Sequence, residues 1–428
     1  MSVRMTSRMS ARMSAPMSSR TSSLVRRVAL AALAVVVPQA ALAQRPLLGA
    51  RTVSTGAVYE TWSFGDGGAL QPGLGTADGV RVRRASQLSV PIAVVVPLGA
   101  RWTMDLATAY TTGVVTLARD DAAAGAAGQY RLDGLADVRL RAVGRLVGDN
   151  VLVTLGANAP TGRASLRDEQ LGALRVLAAP ALALSTPALG TGPGGTAGVV
   201  LARSVGSWAL AAGASYELRG AYQPIATLAA GAPATDDPGL DFDPGDALHL
   251  SLGTDRLVGE SRATLGVTVD LFGADRLRGG PLPGTVAVRL GPLVTAEWQL
   301  RMAPHGLREL RLAVVDRYRF PYARDGEAVP GTGGNYLDAS VDAVWPLSRS
   351  TGILAALDGR HHSGLPVDDS FATARVLAGG LALGLVHDVG AYRVQPLLRA
   401  RYGTLETAAG RPTPIVGLGA ALSVATRF

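Results

Sequence analysis

Cysteine is absent from this 428-residue chain, and so is lysine. The first absence excludes a disulfide framework, thiol chemistry and any cysteine-based metal site. The second leaves arginine as the sole strong base, a habit of composition that points to no activity. No basic helix and no zinc-ligand spacing occurs, so nucleic-acid binding has no support. Beyond residue 43 there is no run of ~20 apolar residues, which excludes helical membrane spans.

What is present begins with a leader. Arginines interspersed with Ser and Met precede an apolar run over 28–37, and Ala41-Leu42-Ala43 then offers a small-residue cleavage site before Gln44. This is the layout of a secretory signal peptide, so residues 1–43 are set apart from the fold and 44–428 form the exported part. The leader holds six arginines (Arg4, Arg8, Arg12, Arg20, Arg26, Arg27) and no acid, so its removal lowers the formal charge from +8 to +2. The basic character therefore belongs mainly to the leader.

The exported part carries 53 glycines in a chain that is 48% hydrophobic, which favours many short strands joined by turns. Its apolar residues recur with period two. Val416, Leu418, Ala420, Leu422, Val424 and Phe428 share one face of the last segment; Gly417, Gly419, Ala421, Ser423 and Arg427 share the other. The preceding segment repeats this, with Tyr392, Val394, Pro396, Leu398, Ala400 and Tyr402 opposed to Arg393, Gln395, Arg399 and Arg401. Its apolar face begins and ends in tyrosine. Ten tilted residues rise ~25 Å, the height of the apolar band between the aromatic girdles of an outer-membrane barrel. Trp102 with Tyr110, and Trp208 with Tyr216, bracket two further faces. A soluble β-sandwich also alternates, but it would bury its aromatics centrally and would not line long strands with arginine.

Short turns fall at 97–100, 147–150, 205–207, 257–260, 303–306, 347–350 and 388–390. Longer Gly-, Pro- or polar-rich stretches fall between them, at 65–78, 117–131, 161–191, 223–244, 274–283, 322–334, 364–371 and 405–413. Strict alternation of seven short and eight long connections predicts a transmembrane antiparallel up-and-down β-barrel of sixteen strands, fourteen or twelve being the alternatives. The short turns are then periplasmic and the long loops external. The last strand should close the barrel against a strand around 53–62.

Two stretches resist this pattern. Residues 171–189 are very apolar for an external loop; Ser165 with Asp168 could cap a helix there, and the loop is expected to pack on or fold into the barrel mouth. Asp316 falls on the lipid face between Val314 and Tyr318, which calls for a register bulge or a place near the interface.

The residues Gly134-Leu135-Ala136-Asp137, the strand ending Pro160-Thr161-Gly162, and Leu189-Gly190-Thr191-Gly192 carry a family likeness. They resemble motifs of the outer-membrane barrel "transporter" family named for the phenol meta-degradation cluster, related in kind to long-chain fatty-acid and toluene channels. Ala136 stands where that pattern usually has glycine, and the likeness covers about 60 residues. The terminal Phe428 is similar to the signal that such barrels present to the barrel assembly machinery. The resemblance implies passage of small, hydrophobic solutes and leaves the substrate open.

The inward faces hold the charge. Alternation places Arg139, Arg141, Arg219, Glu217, Arg289, Glu297, Arg311, Asp338, Asp342, Arg393, Arg399 and Arg401 along the lumen, with Arg262, Arg301, Arg317, Arg360, Asp137, Asp270 and Asp358. Their arginine excess would favour anions; a self-neutralising network bracing the wall is the alternative. His361 and His362 near Asp368 and Asp369 suggest a metal site only at first sight, since neighbours on a strand face opposite ways. His249 shares a face with Ser251, but no G-x-S-x-G elbow occurs, so no enzyme, metal or cofactor is expected. The expectation is an outer-membrane channel for passive passage or uptake of small hydrophobic or anionic solutes. A barrel serving structure or surface interaction without an open pore is the alternative, and a lipid hydrolase a weaker one. Since only residues 44–50 precede the first strand, any constriction must come from a loop, for which 161–191 is the candidate. Lipid and small solutes are the expected partners; oligomeric state is not legible.

Overall fold

The computed structural model describes residues 51–65, 80–119, 128–147, 150–184, 190–225, 240–279, 284–364, 374–406 and 412–427. The leader and Phe428 lie outside them. From β1 (Thr52–Phe64) the chain passes through β2 (Val80–Leu98), β3 (Trp102–Arg119), β4 (Gln129–Leu135), β5 (Val138–Leu146) and β6 (Val151–Ala159). The helix α1 (Asp168–Leu177) precedes β7 (Gly194–Val205) and β8 (Trp208–Arg219). Next come β9 (Tyr222–Ile225), β10 (Leu240–Asp243), β11 (Ala247–Val258), β12 (Ser261–Phe272), β13 (Ala274–Gly279) and β14 (Val286–Arg289). They are followed by β15 (Leu293–Met302), β16 (Glu309–Arg319), β17 (Ala323–Arg324), β18 (Glu327–Ala328) and β19 (Gly334–Pro346). The chain ends in β20 (Thr351–Ser363), β21 (Arg375–Val389), β22 (Tyr392–Glu406) and β23 (Thr413–Arg427).

The long strands form one closed antiparallel barrel. β1 pairs with β2 on one side and with β23 on the other, from Thr52 opposite Arg427 to Phe64 opposite Ile415. β4 and β5 are two halves of one wall strand, since both pair with β3. The wall thus has the sixteen strands that the alternation of connections predicts, with each short turn where the sequence places it. Several of those turns need a positive φ that glycine alone adopts freely, as at Gly206 (60°) and Gly390 (57°).

Period two decides which way each residue faces. Leu252, Leu377, Leu398 and Leu418 are more than half exposed on the outer face, where water would penalise them and lipid would not. Asp316 remains on that face: β15, β16 and β19 pair there without a register shift, opposite Ala296 and Leu337. The bulge expected at Asp316 is therefore not formed, and the residue sits two positions below the exposed Tyr318 near the external strand ends.

The long connections are not plain loops. β9, β10, β13, β14, β17 and β18 form a separate six-stranded sheet at the external end. This corrects the reading of Arg289 as a lumen residue, because it lies on β14 in that sheet. Alternation runs on through the segment, but Pro292 has no N–H to offer a ladder. Gly291 also passes so close to the Phe320 carbonyl that a Cβ would sit 2.1 Å from the oxygen. The wall strand accordingly starts at Leu293.

Candidate functional site: a pinned loop in the barrel mouth

The apolar stretch after β6 is a loop seated inside the external mouth. Its helix α1 packs on β2, β3 and β4. Arg167 occupies the N-cap and Gln170 Oε1 accepts from its N–H at 3.1 Å, whereas Ser165 Oγ donates to Gln223 O at 2.6 Å. Ser165 is thus tied to β9 rather than capping the helix, which corrects the expected cap. Leu171, Leu174, Val176 and Leu177 of the helix and Leu182 beyond it are buried, while the polar residues Glu169, Gln170 and Arg175 of the helix are not. They join Trp62, Phe64, Val82, Val115, Leu132, Leu405 and Ile415 of the inner wall in one cluster, continuous with Leu240, Phe242, Leu277 and Val288 of the external sheet. Each such leucine contributes about 1.5–3 kcal/mol by burial. Gly113 makes room for the helix: a Cβ there would lie 2.3 Å from Leu177 Cδ1.

Both ends of this loop are held by one carboxylate. Asp137 sits at the interruption between β4 and β5, where Ala136 N donates to Ala109 O at 2.7 Å. Its Oδ1 accepts from Gly162 N at 2.8 Å, at the start of the loop. Its Oδ2 accepts from Thr191 N at 2.6 Å, at the loop's end, and from Asn158 Nδ2 at 2.9 Å. Thr161 Oγ1 accepts from Val138 N at 2.9 Å, and Gly190 N donates to Arg163 O at 3.1 Å. Gly162 and Gly190 touch so closely that a Cβ on Gly162 would lie 2.7 Å from Gly190 N. The Gly134–Asp137 and Pro160–Gly162 motifs and residues Gly190–Gly192 of the third, separate in sequence, therefore meet in one knot; Leu189 lies outside the described residues. With four accepted hydrogen bonds, counting the one from Thr191 Oγ1 at 3.3 Å, Asp137 is satisfied although only 4% exposed.

Below the loop the inner wall is lined by ion pairs. Arg141 meets Asp105 (2.7 Å), Arg301 meets Glu309 (2.9 Å) and Arg393 meets Asp388 (2.7 Å). Arg262 pairs with Asp255, Arg311 with Asp342 and Arg317 with Asp338. Arg401 bridges Glu60 (3.1 Å) and Asp358 (3.3 Å), with Arg399 at 3.6 Å from Asp358. Arg219 stacks on Phe272 at 5.6 Å, Arg139 lies on the same inward face opposite Asn158, and Glu297 faces the lumen exposed, with no ion pair among the described residues.

His249 Nδ1 lies 2.7 Å from Asp270 and Nε2 3.2 Å from Glu217. Both ring nitrogens are engaged by carboxylates, leaving neither for Ser251. His361 is exposed outward while His362 turns inward to Asp338 at 3.0 Å, so the two cannot share an ion; Asp368 and Asp369 lie outside the described residues.

On the outer face, Trp102, Trp208 and Tyr392 open β3, β8 and β22 beside the short turns. Tyr110, Tyr216 and Tyr402 lie further along the same faces and are exposed. Sequence reasoning missed Trp62, an aromatic that faces inward at 1% exposure, and it missed the role of Asp137. The signal for Trp62 was its phase against Tyr59 on the same strand.

Fold and lining together define a transmembrane β-barrel of the outer-membrane type with an occupied mouth. No family model matches the chain and no curated protein matches it. Among solved structures it is similar to a bacterial polysaccharide outer membrane secretin, at 9% identity over 88% of this chain and 98% of that one, with a TM-score of 0.43. A deletion mutant of the TodX monoaromatic hydrocarbon channel also matches, at 9% identity over 89% and 91%, with a TM-score of 0.43. An anion-selective porin from Comamonas acidovorans matches at 12% identity over 89% and 98%, with a TM-score of 0.36.

Proposed function

We propose that this barrel is a passive outer-membrane channel for small solutes, obstructed at its external mouth by the loop 162–191. The observation that supports it is the division of labour within that loop. Its ends are fixed by polar bonds to Asp137, while the described part of its body packs through buried apolar side chains. Apolar packing is non-directional and can be exchanged for an apolar solute, whereas the knot keeps the displaced loop tethered. The aqueous lumen beneath, lined by Arg139, Arg141, Arg219, Glu217, Glu297, Arg311, Asp338, Asp342, Arg393, Arg399 and Arg401, would then pass the solute. Sixteen strands enclose more space than side chains alone fill.

This reading includes export by residues 1–43, assembly through the terminal Phe428, and two lipid-interface belts that contain Trp102, Trp208, Tyr392, Tyr110, Tyr216 and Tyr402. Reconstitution in a planar bilayer tests it. Defined conductance steps that grow when residues 166–184 are replaced by a short Gly/Ser linker are expected. A folded barrel that stays silent in both forms would overturn it in favour of a structural role.

A further inference from the structure

Beneath the loop, one arginine makes no direct ion pair among the described residues. Around it, Glu60, Asp338 and Asp358 are matched by Arg317, Arg399 and Arg401, through the ion pairs Arg317–Asp338, Arg399–Asp358, Arg401–Asp358 and Arg401–Glu60. Three acids are thereby matched by three arginines. Arg360, on the inward face of β20, is the fourth arginine, and no carboxylate lies within ion-pair distance of it among the described residues. It is 5% exposed. Its guanidinium stacks on Trp62 at 5.4 Å from the ring centre, and Nη1 donates to the Ala181 carbonyl of the loop at 3.3 Å.

A buried guanidinium whose direct contacts are a ring face and one neutral carbonyl, and whose neighbouring acids are engaged by other cations, is under-compensated. Its planar fork is matched best by a carboxylate, which accepts two parallel hydrogen bonds. The carbonyl that occupies the position belongs to residues 178–183, where Ala181 and Leu182 are fully buried among apolar neighbours. That segment is itself strained, since Ala183 holds a φ of 44°, a conformation which a side chain disfavours. Whatever takes the carbonyl's place must therefore bring a negative charge for Arg360 and an apolar body for the space left by Leu182 in the cluster that also holds Trp62.

We propose that Arg360 is the anchor of a binding site for small apolar monocarboxylates, aromatic or short-chain aliphatic, which bind by displacing residues 178–184. The carboxylate exchanges with Ala181 O on the guanidinium, and the apolar body takes the place of Leu182 in the buried cluster. The bonds of Asp137 to Gly162 and Thr191 lie outside the displaced segment, so the loop swings and stays attached. This inference rests on the channel reading for its consequence, admission of the ligand to the lumen, but binding is measurable without transport.

The test is calorimetric titration of the full-length exported barrel in detergent with sodium benzoate and, separately, benzamide, which has the same shape without the charge. Saturable benzoate binding with one site is expected, at least about tenfold tighter than benzamide. Arg360→Gln should weaken benzoate at least about tenfold and abolish the discrimination, while Arg360→Lys should keep part of it. Leu182→Ala, which loosens the competing segment and leaves the guanidinium intact, should tighten benzoate binding. It decides the matter if Arg360→Gln fails to give a heat-modifiable folded band. Equal binding of the two ligands, undiminished benzoate binding by Arg360→Gln, or Leu182→Ala binding no tighter than the unaltered protein would overturn the proposal. A barrel that binds benzoate as expected but never conducts removes the channel reading and leaves this site. A barrel that conducts and treats benzoate and benzamide alike removes the site and leaves the channel.

Discussion

Asp137 Oδ2 accepts a hydrogen bond from the backbone N–H of Thr191 at 2.6 Å across 54 residues of sequence, while the other oxygen of the same carboxylate holds Gly162 N at 2.8 Å. The two ends of the loop in the mouth are thus fixed to one point on the wall. The wall does not depend on that point, because the ladders of β4 and β5 with β3, and of β5 with β6, run through backbone hydrogen bonds on either side of it. Loop and wall can therefore be uncoupled by changing one side chain.

Asp137→Ala should release the loop and leave the barrel closed. It leaves Gly162 N and Thr191 N without their acceptor, a loss of about 1.5–3 kcal/mol for each charge-assisted bond. Trypsin should then cut at Arg163, Arg167 or Arg175 much faster than in the unaltered protein, while the heat-modifiable band persists. Unchanged cleavage would show that the knot does not restrain the loop.

Asp275 makes the external sheet sensitive to pH. Burial pushes its carboxyl up to about 6, even though Gly245 N donates to it at 2.8 Å. A carboxyl whose folded value exceeds its unfolded value of about 4 favours the neutral form in the fold. The local stability is then complete below about pH 4 and falls as pH rises through about 6, by up to ~2–3 kcal/mol. Exchange-rate-corrected hydrogen-exchange protection at residues 240–246 and 273–279 should fall between pH 4 and 7. Asp275→Asn should flatten that profile; a profile that keeps its slope in the variant would contradict the assignment.

Asp316 should cost the barrel stability where it stands. One of its carboxylate oxygens is buried without a partner, on a face otherwise occupied by Val314 and Tyr318. Asp316→Val is expected to raise stability to urea unfolding in lipid by about 1–3 kcal/mol. A loss of stability would indicate that the carboxylate has a partner in the membrane interface.

The sequence discloses the wall better than the mouth. The wall strands repeat period two over ten or more residues, and turns such as Gly206 and Gly390 need glycine, so count and parity were legible from β1 to β23. The external sheet was not, because segments as short as β17 and β18 carry no period to read. Alternation continuing across Gly291-Pro292 carried Arg289 into the lumen on paper, whereas the Phe320 carbonyl forces the chain into another sheet. A short helix is one of the readings that the stretch allows, a strand being another, but Ser165 does not cap it and finds instead the carbonyl of Gln223, a partner no local pattern contains. Nor could any pattern join Arg360 to a backbone carbonyl 179 residues away.

The obstruction of the mouth by a displaceable loop is tested most directly by tethering that loop. The chain has no cysteine, so Gly113→Cys with Leu177→Cys, placed where the helix touches β3, would supply the only thiols. Single-channel conductance in a planar bilayer should be at its lowest in the oxidised form, with openings suppressed. Reduction should restore them reversibly. Identical conductance before and after reduction, with the disulfide confirmed by mass, would contradict the account.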